Sequence, residues 1–178
     1  MSGRTTGRAC RTRERLGAAV AAAVLAVASG ASRADEVELR GGAPSIECDV
    51  ASVSGAGAVV RMRKAGLDQE RTVPWSEVRA VRGDGLPEGI PRWVAAGESL
   101  WRARMRADRG DWPLALPEFA RAFDAWRGTP ASRDAIAATS GLAEARWRSG
   151  EFPAAVVPCF DAIRLARAAT ATDSAGAP

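Results

Sequence analysis

The sequence predicts an α+β protein in which a small five-stranded antiparallel β barrel is followed by four helices arranged as two hairpins. Between residues 35 and 83, apolar and polar residues alternate over short runs separated by Gly-rich turns, which is typical of half-buried strands. From residue 91 onward, apolar residues recur every three or four positions, which is typical of amphipathic helices. The predicted segments are a signal peptide (1–34), the barrel domain (35–83), a linker (84–90), the helical domain (91–170) and a disordered tail (171–178).

An export signal is predicted at the N-terminus. Arg-rich residues 1–15 precede an uncharged apolar run at 16–28 and a small-residue segment at 29–34. A basic region, a short apolar core and a small-residue end are the three parts of a secretory signal peptide. We expect cleavage after Ala34, with Ala31 as the alternative site and an uncleaved membrane anchor as the alternative outcome. The mature protein is then periplasmic or secreted, without stable membrane insertion.

The composition argues against nucleic-acid binding and against several kinds of catalysis. The net charge is +4, but six Arg and one Glu give the segment 1–34 a charge of +5, so the remaining chain is close to −1. The basic total is therefore no argument for a nucleic-acid partner. The chain has no His, which excludes Ser-His-Asp and Cys-His catalysis and His-ligated metal. No phosphate-loop or nucleophile motif is present. We therefore predict a protein that is not an enzyme, with no catalytic residues, no cofactor and no metal.

Two cysteines remain after removal of the signal, Cys48 and Cys159, and each lies on a predicted apolar face. A buried free cysteine behaves as a small hydrophobic residue. An exported protein also permits a disulfide, and a Cys48–Cys159 bridge would clamp the two halves of the chain together. Both interpretations stay open from the sequence.

The barrel prediction rests on five short strands within the segment 35–83, a density that suggests a small closed barrel. Trp75 follows Pro74 near a strand start and is expected to plug one end. The segment 73–81 (VPWSEVRAV) resembles the closing strand pair of the Sm-like small barrels, and this resemblance implies an architecture only, because that family's RNA-binding residues have no match here. The alternating apolar residues are Val37, Leu39, Ile46, Cys48, Val50, Val60, Met62, Val78 and Val81.

The four helices are predicted at about 91–108, 112–126, 130–149 and 152–170. Pro130 suits the first turn of the third helix, with Thr129 as its cap. The residues of the fourth helix expected to face the core are Ala155, Val156, Cys159, Ile163 and Ala166.

The helical region repeats itself at a sequence offset of 40. The pattern A-x-x-R-x-x-x-G-[DE]-[WF]-P-x-A-x-x-x-x-x-x-A begins at Ala103 and again at Ala143. A Gly suits the end of one helix. An acid, with Pro two residues after it, suits the start of the next. This pattern resembles the tetratricopeptide repeat, a helix–turn–helix unit with a usual period of about 34 residues. The matching residues are Ala103, Gly110, Asp111, Trp112, Ala115, Phe119 and Ala122 in the first unit, and Leu142, Ala143, Gly150, Glu151, Phe152, Ala155 and Ala162 in the second.

The resemblance implies a scaffold that binds proteins or peptides on its helices. Two units leave an exposed stacking face, which the barrel, a second copy or a protein partner would cover. We therefore expect a protein partner or self-association. The alternative function is an envelope carbohydrate- or peptide-binding module that uses Trp and Arg on the helical groove. The candidate partner-binding residues are Arg102, Arg106, Glu144 and Arg146.

Overall fold

The computed structural model describes residues 34–64 and 66–175, and the predicted signal peptide therefore lies outside the described residues apart from Ala34. The chain forms a five-stranded antiparallel sheet followed by four helices, which confirms the α+β class. The strand order is β4-β3-β2-β1-β5. The strands are β1 (Asp35–Leu39), β2 (Ile46–Ser54), β3 (Gly57–Lys64), β4 (Leu67–Val73) and β5 (Val78–Arg82).

The prediction of a closed barrel is wrong, because β4 and β5 form the two edges of an open sheet. A barrel strand needs an inward-facing residue at every second position, whereas Val73 is the only buried residue of β4. The sheet nevertheless curls. Residues 74–77 connect its two edges through a hydrogen-bonded turn, and a flat sheet would hold those edges about 19 Å apart. Bulges in β1 and β2, at 38–39 and 50–52, contribute to the bend.

The helices are α1 (Ile90–Ala107), α2 (Trp112–Trp126), α3 (Arg133–Arg148) and α4 (Phe152–Ala175). The third helix begins later than predicted. Its cap is Ser132, whose Oγ accepts the backbone N–H of Ala135 at 3.2 Å, while the Thr129 hydroxyl donates to the Trp126 carbonyl.

The last helix, α4, continues through 171–175, which were expected to belong to the disordered tail; 176–178 lie outside the described residues. Across 34–64 and 66–175, no helix has both the length and the apolar character that crossing a bilayer requires.

The sheet packs on the helices through three tryptophans. Trp75 stacks on Trp93 with ring centroids 6.4 Å apart, and Trp93 contacts Trp126 at 5.9 Å. The indole N–H groups of Trp75 and Trp126 donate to the carbonyls of Ser54 and Gly55 in the β2–β3 turn, at 2.7 and 2.8 Å. Trp75 therefore does not plug a barrel. Its fully buried ring joins the sheet to the helices.

A buried carboxylate orients α3 against the turn that connects β4 to β5. Asp134 is fully buried, and it accepts hydrogen bonds from the backbone N–H of Ser76 at 3.0 Å and from the Ser76 hydroxyl at 2.6 Å. The neighbouring pair, Arg133 and Glu77, forms an ion pair at 2.7 Å. A buried polar side chain with these hydrogen-bond partners avoids the cost of an unsatisfied one, and the contact joins the second hairpin to the sheet side.

Candidate functional site

The two helical hairpins are closed by the same backbone turn. A Gly in the left-handed conformation follows the first helix of each hairpin, at Gly110 (φ 80°) and Gly150 (φ 77°). The acidic residue that comes next donates its N–H to the carbonyl five residues earlier, at 2.9 Å in the first turn and 2.8 Å in the second. Its own carbonyl accepts an N–H from four residues later in both turns. Residues 40 positions apart in the sequence therefore occupy equivalent positions in the two turns.

The repeated arginines are part of these turns. Nη1 of Arg106 donates to the Leu114 carbonyl at 2.8 Å, and Nη1 of Arg146 donates to the Ala154 carbonyl at 2.7 Å. Each guanidinium thus binds a carbonyl in the first turn of the following helix. Arg106 also contacts the buried carboxylate of Glu118 at 3.3 Å. The second unit has Pro158 at the position of Glu118, so it lacks this ion pair.

The second helix of the first hairpin is covered by the second hairpin. Phe119 of α2 is 3 % exposed, and a Cβ added to Gly141 of α3 would overlap its ring. The absence of a side chain at Gly141 lets α3 approach the ring this closely. Other apolar residues on this face of α2 are at least partly buried against the core; they are Trp112, Leu116, Ala120 and Phe123.

The corresponding surface of the second hairpin is exposed. A groove of about 470 Å³ runs between α3 and α4, and we call it the end groove. Five of its large apolar side chains are 45–69 % exposed. The residues 40 positions earlier are all partly buried. The end groove is therefore the counterpart of the surface that α3 covers on the first hairpin. Its main apolar residues are Trp147, Phe152, Val156, Cys159, Phe160 and Ile163.

The end groove offers aromatic surface and few polar groups. Trp147 and Phe152 form an edge-to-face pair with ring centroids 4.7 Å apart. Among the residues that line the groove, the polar groups are the side chains of Ser140 and Glu144, the Cys159 thiol and the indole N–H of Trp147. Glu144 already forms an ion pair with Arg148 at 3.5 Å. The groove is thus suited to apolar contact, with one charged pair at its rim.

The four residues predicted to bind a partner are not brought together in one site. Glu144 lines the end groove. Arg106 and Arg146 are engaged in the two turns, and Arg102 forms an ion pair with Glu98 one turn earlier on α1. Surface ion pairs of this last kind contribute little to stability. The groove aromatics Trp147, Phe152 and Phe160 were not predicted as site residues, although the sequence offset of 40 maps them onto the interface residues of the first hairpin.

The predicted inward face of α4 is only partly correct. Ala155 is buried, whereas Val156, Cys159, Ile163 and Ala166 are exposed. Periodicity identifies an apolar stripe, but it does not say whether a third helix is present to cover that stripe. In this chain, the described residues end with α4, and its stripe faces outward.

Both remaining cysteines are free, so the predicted alternative of a Cys48–Cys159 bridge does not occur in this structure. Cys48 is buried in the sheet, and Cys159 is exposed in the end groove. Burial, reinforced by the nearby Asp35 and Asp49 carboxylates, raises the pKa of the Cys48 thiol to about 11. A protonated thiol is a weak nucleophile. Within the described part of the chain, no three Cys, Asp or Glu side chains are grouped closely enough to hold a metal ion.

A second polar cluster lies where β1 meets α1. The Arg40 guanidinium lies 5.8 Å from the Trp101 ring and donates to the Val94 carbonyl at 3.4 Å. Desolvation lowers the pKa of Arg40. The negative charge of Glu98 raises this pKa, and the positive charge of Arg102 lowers it further. Because these contacts join the sheet to the first helix, the cluster has a structural explanation.

Comparisons with known proteins identify no family for this chain. No protein-family model matches it. Searches of curated proteins and of solved structures also give no significant match. Function must therefore be argued from the site.

Proposed function

We propose that this protein is an exported, non-enzymatic scaffold that mediates protein–protein contact through tetratricopeptide-like hairpins, with the end groove as the contact surface. One observation carries the proposal. The apolar surface that binds α3 on the first hairpin recurs at the sequence offset of 40, and within the described part of the chain no helix covers it there. Contiguous apolar surface of this kind is rare on proteins that have no partner.

The export part of the proposal rests on residues 1–34, and N-terminal sequencing of the protein recovered outside the cytoplasm tests it. We expect Asp35 as the first residue. A first residue at Ser32 would place the cleavage site after Ala31. An intact N-terminus on membrane-bound protein would show that the segment is an uncleaved anchor.

The contact surface is tested by photo-crosslinking in the cells that make the protein. A photoreactive residue is placed at Val157, which follows the groove-lining Val156 on α4 and is 65 % exposed. The matched control is Leu67 on β4, which is 67 % exposed and belongs to the sheet. We expect protein adducts from position 157 and none from position 67. Equal adducts at both positions, or none at position 157, would refute the groove as the contact surface.

A second candidate function is binding of an envelope carbohydrate or peptide, and the exposed aromatic pair of Trp147 and Phe152 favours it. Sugars stack on such rings but also need hydrogen-bonding side chains around them. Besides the indole N–H of Trp147 and the Cys159 thiol, the groove has only Ser140 and Glu144 for that purpose. Titration with cell-wall oligosaccharides, followed by Trp fluorescence in wild type and Trp147→Ala, separates the two functions. A saturable change that requires Trp147 would favour carbohydrate binding over protein contact.

A further inference from the structure

The helical stack has one covered end and one open end within the described residues. At the covered end, α1 packs directly on the sheet: a Cβ added to Gly97 would overlap the backbone carbonyl of Trp75, and Arg40 of the sheet side donates to the Val94 carbonyl of α1. At the open end, α4 carries the end groove. The sheet side therefore occupies part of the α1 face that a stacked helix would need, although Trp101, Met105 and Leu114 of the first hairpin are still 37–57 % exposed.

The open end also has the size of an interface. The exposed parts of its large apolar side chains amount to on the order of 600 Å² if an aromatic side chain has an area of roughly 200 Å². Monomers rarely expose a contiguous apolar patch of that size, and a standard interface buries about 800 Å² on each partner.

We infer that the occupant of the end groove is a second copy of this chain, paired about a two-fold axis with α4 against α4. This inference rests on the proposed function and names the partner. Head-to-tail stacking would need the α1 face, where Trp75 and Arg40 already contact Gly97 and Val94. A two-fold contact needs only the open end, and it leaves neither groove exposed.

The surface is compatible with pairing to itself. Phe160 lines the groove and is 69 % exposed, and Val157, three residues before it on α4, is 65 % exposed. Each copy therefore presents exposed apolar side chains together with an apolar groove. A two-fold interface requires such self-complementarity, because every contact occurs twice. The charged pair at the rim, Glu144 with Arg148, is formed within each copy, and so is the pair of Asp161 with Arg164 further along the chain on α4. Two copies therefore meet without a net repulsion between like charges.

The test is the solution mass of the protein recovered after export, measured by sedimentation equilibrium from about 1 to 100 µM, a range that detects dissociation constants in the micromolar range. We expect the mass to rise from one chain to two. Val157→Asp and Phe160→Asp place a charge in the interface and are expected to weaken dimerisation at least tenfold. Leu67→Asp, at an equally exposed site on the sheet, is expected to leave it unchanged. Circular dichroism melting checks that each variant is folded. We expect all three to fold, because all three positions are exposed.

The outcomes separate this inference from the proposed function. A wild type that stays monomeric across the whole concentration range overturns the second copy as occupant, and so does a dimer that both groove variants leave intact. If the wild type is monomeric but gives adducts with a different protein at position 157, the scaffold function is supported and only self-association is refuted. A monomer with no adducts contradicts both.

Discussion

The two hairpins of this protein share a turn and differ in what covers them. Both have the same Gly, the same returning N–H and the same Arg-to-carbonyl bond. The first hairpin is covered by α3, whereas the second contacts the sheet side through α3 and, within the described residues, leaves the apolar face of α4 exposed. The comparison shows that one local motif can supply a core in one copy and an exposed apolar surface in the next.

The largest expected difference between the hairpins lies in their aromatic side chains. Phe119→Ala removes a ring that is packed on Gly141, and we expect a loss of about 3–5 kcal/mol in the free energy of unfolding. Phe160→Ala changes a side chain that is 69 % exposed, and we expect less than about 0.5 kcal/mol. Urea unfolding at low micromolar concentration measures both values. Similar losses in the two variants would mean that the second hairpin is as well covered as the first.

The close approach of the hairpins gives the next largest effect. Gly141→Ala adds a methyl group that overlaps the Phe119 ring, and overpacking of this kind costs about 1–3 kcal/mol. Combining it with Phe119→Leu frees space and should recover part of the loss. A double-mutant cycle by urea unfolding checks the coupling. Strict additivity of the two substitutions would contradict the contact.

The repeated arginines sharpen the comparison further. Arg106→Met removes a bond to a carbonyl and leaves the buried Glu118 carboxylate with Arg121 alone. We expect a loss of about 2 kcal/mol. Arg146→Met removes only the carbonyl bond, and about 1 kcal/mol is expected. Thermal unfolding of the two variants side by side provides the measurement, and a larger effect at Arg146 would reverse the predicted order.

The smallest expected effect concerns the two thiols. The folded state raises the pKa of Cys48 from 9.0 to about 11, so the unfolded chain releases this proton at a lower pH than the folded one. Stability should therefore fall as pH rises through 9 towards 11, by about 1 kcal/mol between pH 8 and pH 10. Urea unfolding at these two pH values measures the effect. The fall in stability should be absent in Cys48→Ala and present in Cys159→Ser. An unchanged pH dependence in Cys48→Ala would assign it to other groups.

Local sequence patterns predicted the elements well because the forces that define them are local. Alternation identified five strands, and the bounds of α2 were predicted to the residue. The repeated pattern predicted both turns, because its residues match the local backbone. Gly adopts the left-handed conformation that ends the first helix, and Pro is tolerated in the first turn of the next helix. The start of α3 was misplaced because Thr129 and Ser132 are both acceptable caps, and only the contact of the neighbouring Asp134 with Ser76 favours the later one.

Long-range packing decided the remaining features. The sequence by itself determined the α+β class, the order of the elements and the two equivalent turns, because these depend on periodicity and backbone conformation. Only the tertiary structure decided that the sheet stays open, that Trp75 joins it to the helices, and that Cys48 and Cys159 remain apart. It also showed that the apolar stripe of α4 faces outward. A stripe of apolar residues has the same period whether or not a neighbour covers it, so its exposure depends on the number of helices that pack around it.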